Sequence, residues 1–90
     1  EGFEFIVSGR EQRIVKPVEV NAYRSVVVEN DRDSASTIEV HTNRTNQIRP
    51  IYLDPNEKTE IDFKQPVLSF VTVYIKGGSG SATVKVMGKL

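Results

Sequence analysis

The chain contains no cysteine. The disulfide staple of small secreted domains is therefore excluded, and packing or oligomerisation must hold the fold together. It has no charge surplus either: twelve Lys and Arg balance twelve Asp and Glu. A basic stripe of the kind that grips nucleic acid is not indicated, nor is simple electrostatic capture by an anionic membrane. A neutral surface repels copies of itself only weakly, so self-association or a place in a larger assembly costs little electrostatically. No apolar run reaches the length of a membrane span, and the N-terminus lacks a basic-then-apolar signal pattern. Histidine is nearly absent too, with His41 alone.

Ninety residues suit one β-sandwich domain over 1–90. Such a length buries roughly 60–65% of the unfolded chain's surface and leaves little room for a deep cleft. The first residue is Glu, which suits a processed product or an excised fragment. Absence of cysteine permits the cytosol, or an extracellular life for a particle assembled in a reducing cell.

What the chain does have is alternation. The stretch 67–87, VLSFVTVYIKGGSGSATVKVM, reads as a long β-hairpin. Val67, Ser69, Val71, Val73 and Ile75 fall on one face of its first arm, and Leu68, Phe70, Thr72, Tyr74 and Lys76 on the other. Ala82, Val84 and Val86 alternate along the second arm, and Gly77-Gly78-Ser79-Gly80 supplies a tight reversal.

Upstream, Phe3, Phe5 and Val7 alternate with Glu4, Ile6 and Ser8. Residues 12–20 continue extended, with Pro17 marking an edge strand, a bulge or a kink. The valine run in 23–29 (YRSVVVE) suggests burial on both faces. Ile38 and Val40 oppose Glu39 and His41; 47–53 and 60–63 read as further short strands around the turn Asp54-Pro55-Asn56-Glu57. No window shows helical periodicity. The expected fold is all-β: a small antiparallel β-sandwich, jelly-roll or Ig-like, of seven or eight short strands.

Chemistry is sparse. One histidine without cysteine, and no Gly-x-Ser-x-Gly turn, give no nucleophilic set. His41 reads as an ordinary solvated side chain beside Glu39. Zinc ligand sets are missing, and Asp31-x-Asp33 lacks the glycine and closing glutamate of a calcium loop, so a self-capped turn is the simpler reading. Glu57, Glu60 and Asp62 lie around a turn and short strand without a cleft for acid–base work. The glycine tip precedes a strand, not the helix N-terminus that cradles phosphate. Arg44 and Arg49 are too few among acidic residues to support single-strand stacking on Tyr23, Tyr52, Tyr74 or Phe70. Asn43-Arg44-Thr45 fits the N-glycosylation pattern, for which chance is the simpler account. No catalytic residue, cofactor or metal site is expected.

The informative surplus is apolar. Leu68, Phe70 and Tyr74 stand on the face of a strand whose other side already fills a core. Either a covering loop or the N-terminal strand hides them, or they form an interface.

The succession SVVVEN, TIEVHT, LDPNE, TEIDF, FVTVYIKGG and GSATVKVMG over 25–88 resembles the small β-sandwich domains of tailed-bacteriophage virion proteins, among them capsid decoration proteins, head fibres and tail accessory modules. It also resembles discoidin-like and carbohydrate-binding sandwiches. Pro55-Asn56 stands where Pro-Gly is usual. The resemblance implies a non-enzymatic structural or adhesive role, often oligomeric, and it carries over no site residue. The expected function is assembly: docking on a larger particle such as a phage capsid or tail, with self-association as far as a homotrimer. Its place would then be the virion, with the extracellular space or cytoplasm as alternatives. A carbohydrate-binding module, with Tyr23, Tyr52 and Tyr74 as its platform, is the alternative function.

Overall fold

A computed structural model describes residues 2–20, 24–43, 49–63 and 69–89. These residues form eight strands: β1 (Gly2–Ser8), β2 (Gln12–Val15), β3 (Ser25–Asn30), β4 (Ile38–Thr42), β5 (Ile51–Leu53), β6 (Lys58–Asp62), β7 (Val71–Ile75) and β8 (Ser81–Lys89). Single 3₁₀ turns at Pro17–Val20 and Lys76–Gly78 are the only helical geometry among them. The strands make two antiparallel four-stranded sheets, ordered β1-β8-β3-β6 (sheet A) and β2-β7-β4-β5 (sheet B). This is the strand order of a jelly roll, within the all-β sandwich class expected from the alternation.

The core lies between the sheets and consists mostly of valine, whose branched side chains suit a pleated surface. Val26, Val28 and Val84 of sheet A face Ile38, Val40 and Val73 of sheet B, all with no exposed surface. Phe63, just after β6, is 1% exposed, and its N–H donates to the Arg24 carbonyl. Asn30 is the most deeply buried polar residue described, with no exposed surface at the end of β3. Its Nδ2 donates to the carbonyls of Ser36 and Leu53, both at 2.9 Å, and so ties sheet A to β5 of sheet B.

The expected hairpin over 67–87 is not formed. β7 pairs with β2 and β4, and β8 pairs with β1 and β3, so the glycine tip crosses from one sheet to the other. Alternation reveals which face of a strand is buried but not which strand lies beside it. Two arms with equal inward stripes can face each other across a core as readily as they can pair. The tip's backbone is as foreseen: Gly77, Gly78 and Gly80 have φ of 82°, 73° and 92°.

Three smaller differences follow from the same limit. Val27, the middle residue of the valine run, is only half-buried, on the outer face of sheet A. Of the segment read as extended over 12–20, only Gln12–Val15 is a strand, an edge one as Pro17 suggested, and Pro17 opens a 3₁₀ turn after it. The strand read over 47–53 begins at Ile51, residues 44–48 being outside the described ones.

Candidate interaction surface on the outer face of sheet B

With Ile38 and Val40 inward on β4, and Val71, Val73 and Ile75 inward on β7, the intervening residues must point out. Strand order then fixes their neighbours. One row across sheet B reads Gln12, Tyr74, Glu39, Tyr52; the next reads Ile14, Thr72, His41. Phe70 stands at the head of β7, its N–H held by Asn43 Oδ1 at 2.9 Å. Tyr52 is 48% exposed, Ile14 41% and Phe70 36%.

At the centre, Tyr74, Glu39 and His41 form one cluster. The Tyr74 hydroxyl donates to Glu39 Oε2 at 2.7 Å, and His41 Nε2 lies 2.7 Å from the same oxygen. With its proton on Nε2, His41 donates to the carboxylate as well. The imidazole also stacks on the phenol, ring centroids 5.1 Å apart and planes 17° from parallel. The hydrogen bond from His41, joined by that from Tyr74, holds the Glu39 carboxyl below the usual range despite partial burial. Partial burial, reinforced by the adjacent carboxylate, pushes the Tyr74 phenol up to about 12. Beside the cluster, the Lys76 ammonium sits 4.5 Å from the Tyr52 ring centroid, a cation–π contact.

Of the residues expected at an interface, Phe70 is exposed here and Tyr74 half-buried in the cluster; Leu68 lies outside the described residues, as does Tyr23. The covering of this face expected as the simpler alternative is therefore incomplete at Phe70 and Tyr52. His41 lies on the outward face beside Glu39 as expected, its side chain 39% exposed. The sequence does not show that β7 brings Tyr74 within stacking distance of it from 33 residues away. Ile14 was not singled out, since only the pairing of β2 with β7 places it beside Thr72.

The other candidate groups are occupied locally. Asp31 Oδ2 accepts the Asp33 N–H at 3.1 Å, a self-capped turn, while its Oδ1 pairs with Lys85 at 3.1 Å. Glu60 is held by Lys89 and by the Ser25 hydroxyl, each at 3.1 Å. Among the described residues, no three His, Cys, Asp or Glu side chains group as metal ligands would.

Sheet A presents a different outer face. Glu4, Lys85, Glu29 and Lys58 alternate in sign across its four strands. They flank an open trough of about 540 Å³ floored by Val27 and Met87.

No protein-family model matches the chain, and no curated protein does. Two similar solved structures were found. The crystal structure of Drosophila melanogaster CENP-C bound to CAL1 superposes with a TM-score of 0.63 at 9% identity, over 98% of this chain and 63% of that one. The Drosophila melanogaster CENP-C cupin domain gives 0.62 at 9% identity, over 98% and 59%. This chain spans less than two thirds of either neighbour's length. At that identity the likeness is one of fold, and the chain is a jelly-roll β-sandwich.

Proposed function

We propose that the chain is a non-catalytic protein-interaction domain whose docking surface is the outer face of sheet B. The observation that carries this reading is Phe70 and Tyr52, exposed on either side of a Tyr74 already fixed by Glu39 and His41. Aromatic side chains held in place before binding lose little conformational freedom on docking, and they dominate interface energetics. A neutral chain adds no long-range repulsion. One structure with this fold was solved with a protein partner, which is in keeping with such use.

Catalysis is a poorer account of the same cluster. The phenol is held protonated and committed to Glu39. The group lies on the outer face of a sheet and stays partly exposed to solvent, which disfavours it as a reacting centre. In the finer form of the proposal the partner is a component of a larger particle, for which a tailed-phage virion is the model suggested by the sequence pattern. A carbohydrate-binding role is the second reading, favoured by Tyr52, a half-exposed ring with an ammonium donor beside it.

Affinity capture from an extract of the native source, with the chain and with its Tyr52→Ala/Phe70→Ala variant, tests the proposal. Proteins retained by the former and lost by the latter are the expected result. Retention indifferent to the two substitutions, together with hits on a glycan array, would replace it with the second reading.

A further inference from the structure

The four edge strands of the sandwich are not equally protected. β5 has three residues and follows Pro50; β2 has four and carries Arg13 turned toward the core side, opposite Val73. β6 puts Lys58, Glu60 and Asp62 along its exposed face. Short length, proline, inward charge and charge runs are the usual means of blocking further pairing at an edge. β1 uses hardly any of them. It has seven residues, no proline, an unbroken register with β8 from Gly2↔Met87 to Ser8↔Ser81, and one charge, Glu4.

Its free edge can be read from the hydrogen-bond alternation. The Gly9 N–H donates to the Gly80 carbonyl at 2.9 Å, so in this register Val7, Phe5 and Phe3 turn their backbone groups toward β8. Gly2, Glu4 and Ile6 then turn theirs away from the sheet. Among the described residues none pairs with them. Ile6 is 70% exposed, the highest exposure of any large apolar side chain described.

We infer that β1 is a self-association edge, pairing antiparallel with β1 of a second copy so that the two A sheets become one of eight strands. Two-fold symmetry and the parity of the free backbone groups allow registers centred on Glu4, on Phe5 or on Ile6. The first sets Glu4 against Glu4 of the second copy, two like charges directly opposed. The Phe5 register sets Glu4 opposite Ile6 in both halves, with Gly2 opposite Ser8, and alone pairs the full length of β1. Charge disfavours the first, and length favours the second over the third. The chain's zero net charge does not oppose the approach, and Arg13 at the neighbouring β2 edge is neutralised by Glu19 at 2.6 Å.

Sedimentation equilibrium of the purified chain and three variants tests the inference, with circular dichroism confirming each fold. The chain is expected to sediment as a dimer. Ile6→Glu, at an exposed position, places a carboxylate opposite Glu4 twice over and should weaken the dimer about tenfold or more. Adding Glu4→Lys to Ile6→Glu places opposite charges in both pairs and should restore it. Ile6→Pro, which removes an outward N–H without touching the β1–β8 ladder, should give a folded monomer. A monomeric parent chain would overturn the inference and leave the edge to a foreign strand. A dimer indifferent to Ile6→Glu, or a double variant no tighter than the single one, would overturn it equally.

Discussion

Tyr74 on β7 and Glu39 on β4 stand directly opposite one another, joined by a 2.7 Å hydrogen bond from phenol to carboxylate across the outer face of sheet B. The bond fixes an aromatic side chain in place before any partner arrives. It also makes the surface sensitive to pH at both ends of the range.

At the alkaline end, the Tyr74 phenol should ionise near 12, well above a phenol's ordinary value near 10. Burial is its larger cause, so Glu39→Gln should bring the phenol down without returning it fully to 10. Because the folded state raises this pKa, Tyr74's contribution to stability is present in full below about 10 and is lost as pH rises through about 12. NMR titration of the tyrosine ring carbons, beside thermal melts of Tyr74→Phe, checks both statements.

At the acidic end the sign reverses. Glu39 and Asp31 titrate below their usual values, the first chiefly through the His41 hydrogen bond and the second chiefly through Lys85. Their contributions are present above the ordinary carboxylate pKa of about 4 and are lost as pH falls through the depressed values. Glu39→Gln and Asp31→Asn should each flatten the decline of melting temperature below about pH 5 relative to the parent chain.

Asn30 joins the sheets with two amide hydrogen bonds in a site without solvent. Asn30→Ala strands two carbonyls and should cost about 2–3 kcal/mol. For a domain of this size that amounts to a fall of roughly 8–24 °C in melting temperature. Asn30→Asp should do worse, since it turns a carboxylate toward the same two carbonyls. Differential scanning calorimetry reads both.

Gly80 has a φ of 92°, and a Cβ added there would run into Ser36 Oγ. Gly80→Ala should therefore destabilise by about 1–3 kcal/mol. Gly77→Ala should cost less, since it meets only the backbone penalty, with open space around it. Adding Ser36→Ala to Gly80→Ala should recover the steric part alone. Urea unfolding of the three variants separates the two contributions.

The inward stripes were legible because each strand alternates cleanly: Ile38 and Val40, Ile61 and Phe63, and Val71, Val73 and Ile75 are all buried as their spacing requires. The turn at Asp54-Pro55-Asn56-Glu57 was equally legible. Asn56 takes a φ of 75°, and the Glu57 N–H closes the turn on the Asp54 carbonyl at 3.0 Å.

Strand partners were not legible. Nothing local distinguishes β7 pairing with β8 from β7 pairing with β4, because both arrangements bury the same valines. The Tyr74–Glu39–His41 cluster depends wholly on that choice. Its members were each placed on an outward face, yet only the β4–β7 register sets them together. The unprotected edge of β1 was hidden for the same reason, since an edge is a property of strand order and not of the strand.

The docking claim is tested most directly by photo-crosslinking. Benzoylphenylalanine placed at Phe70, on sheet B, is compared with the same group at Lys58, on the outer face of sheet A, in an extract of the native source. Discrete protein adducts from position 70, with none at position 58, are the predicted result. Adducts absent from position 70, or equal at both positions, would contradict the assignment of sheet B as the docking surface.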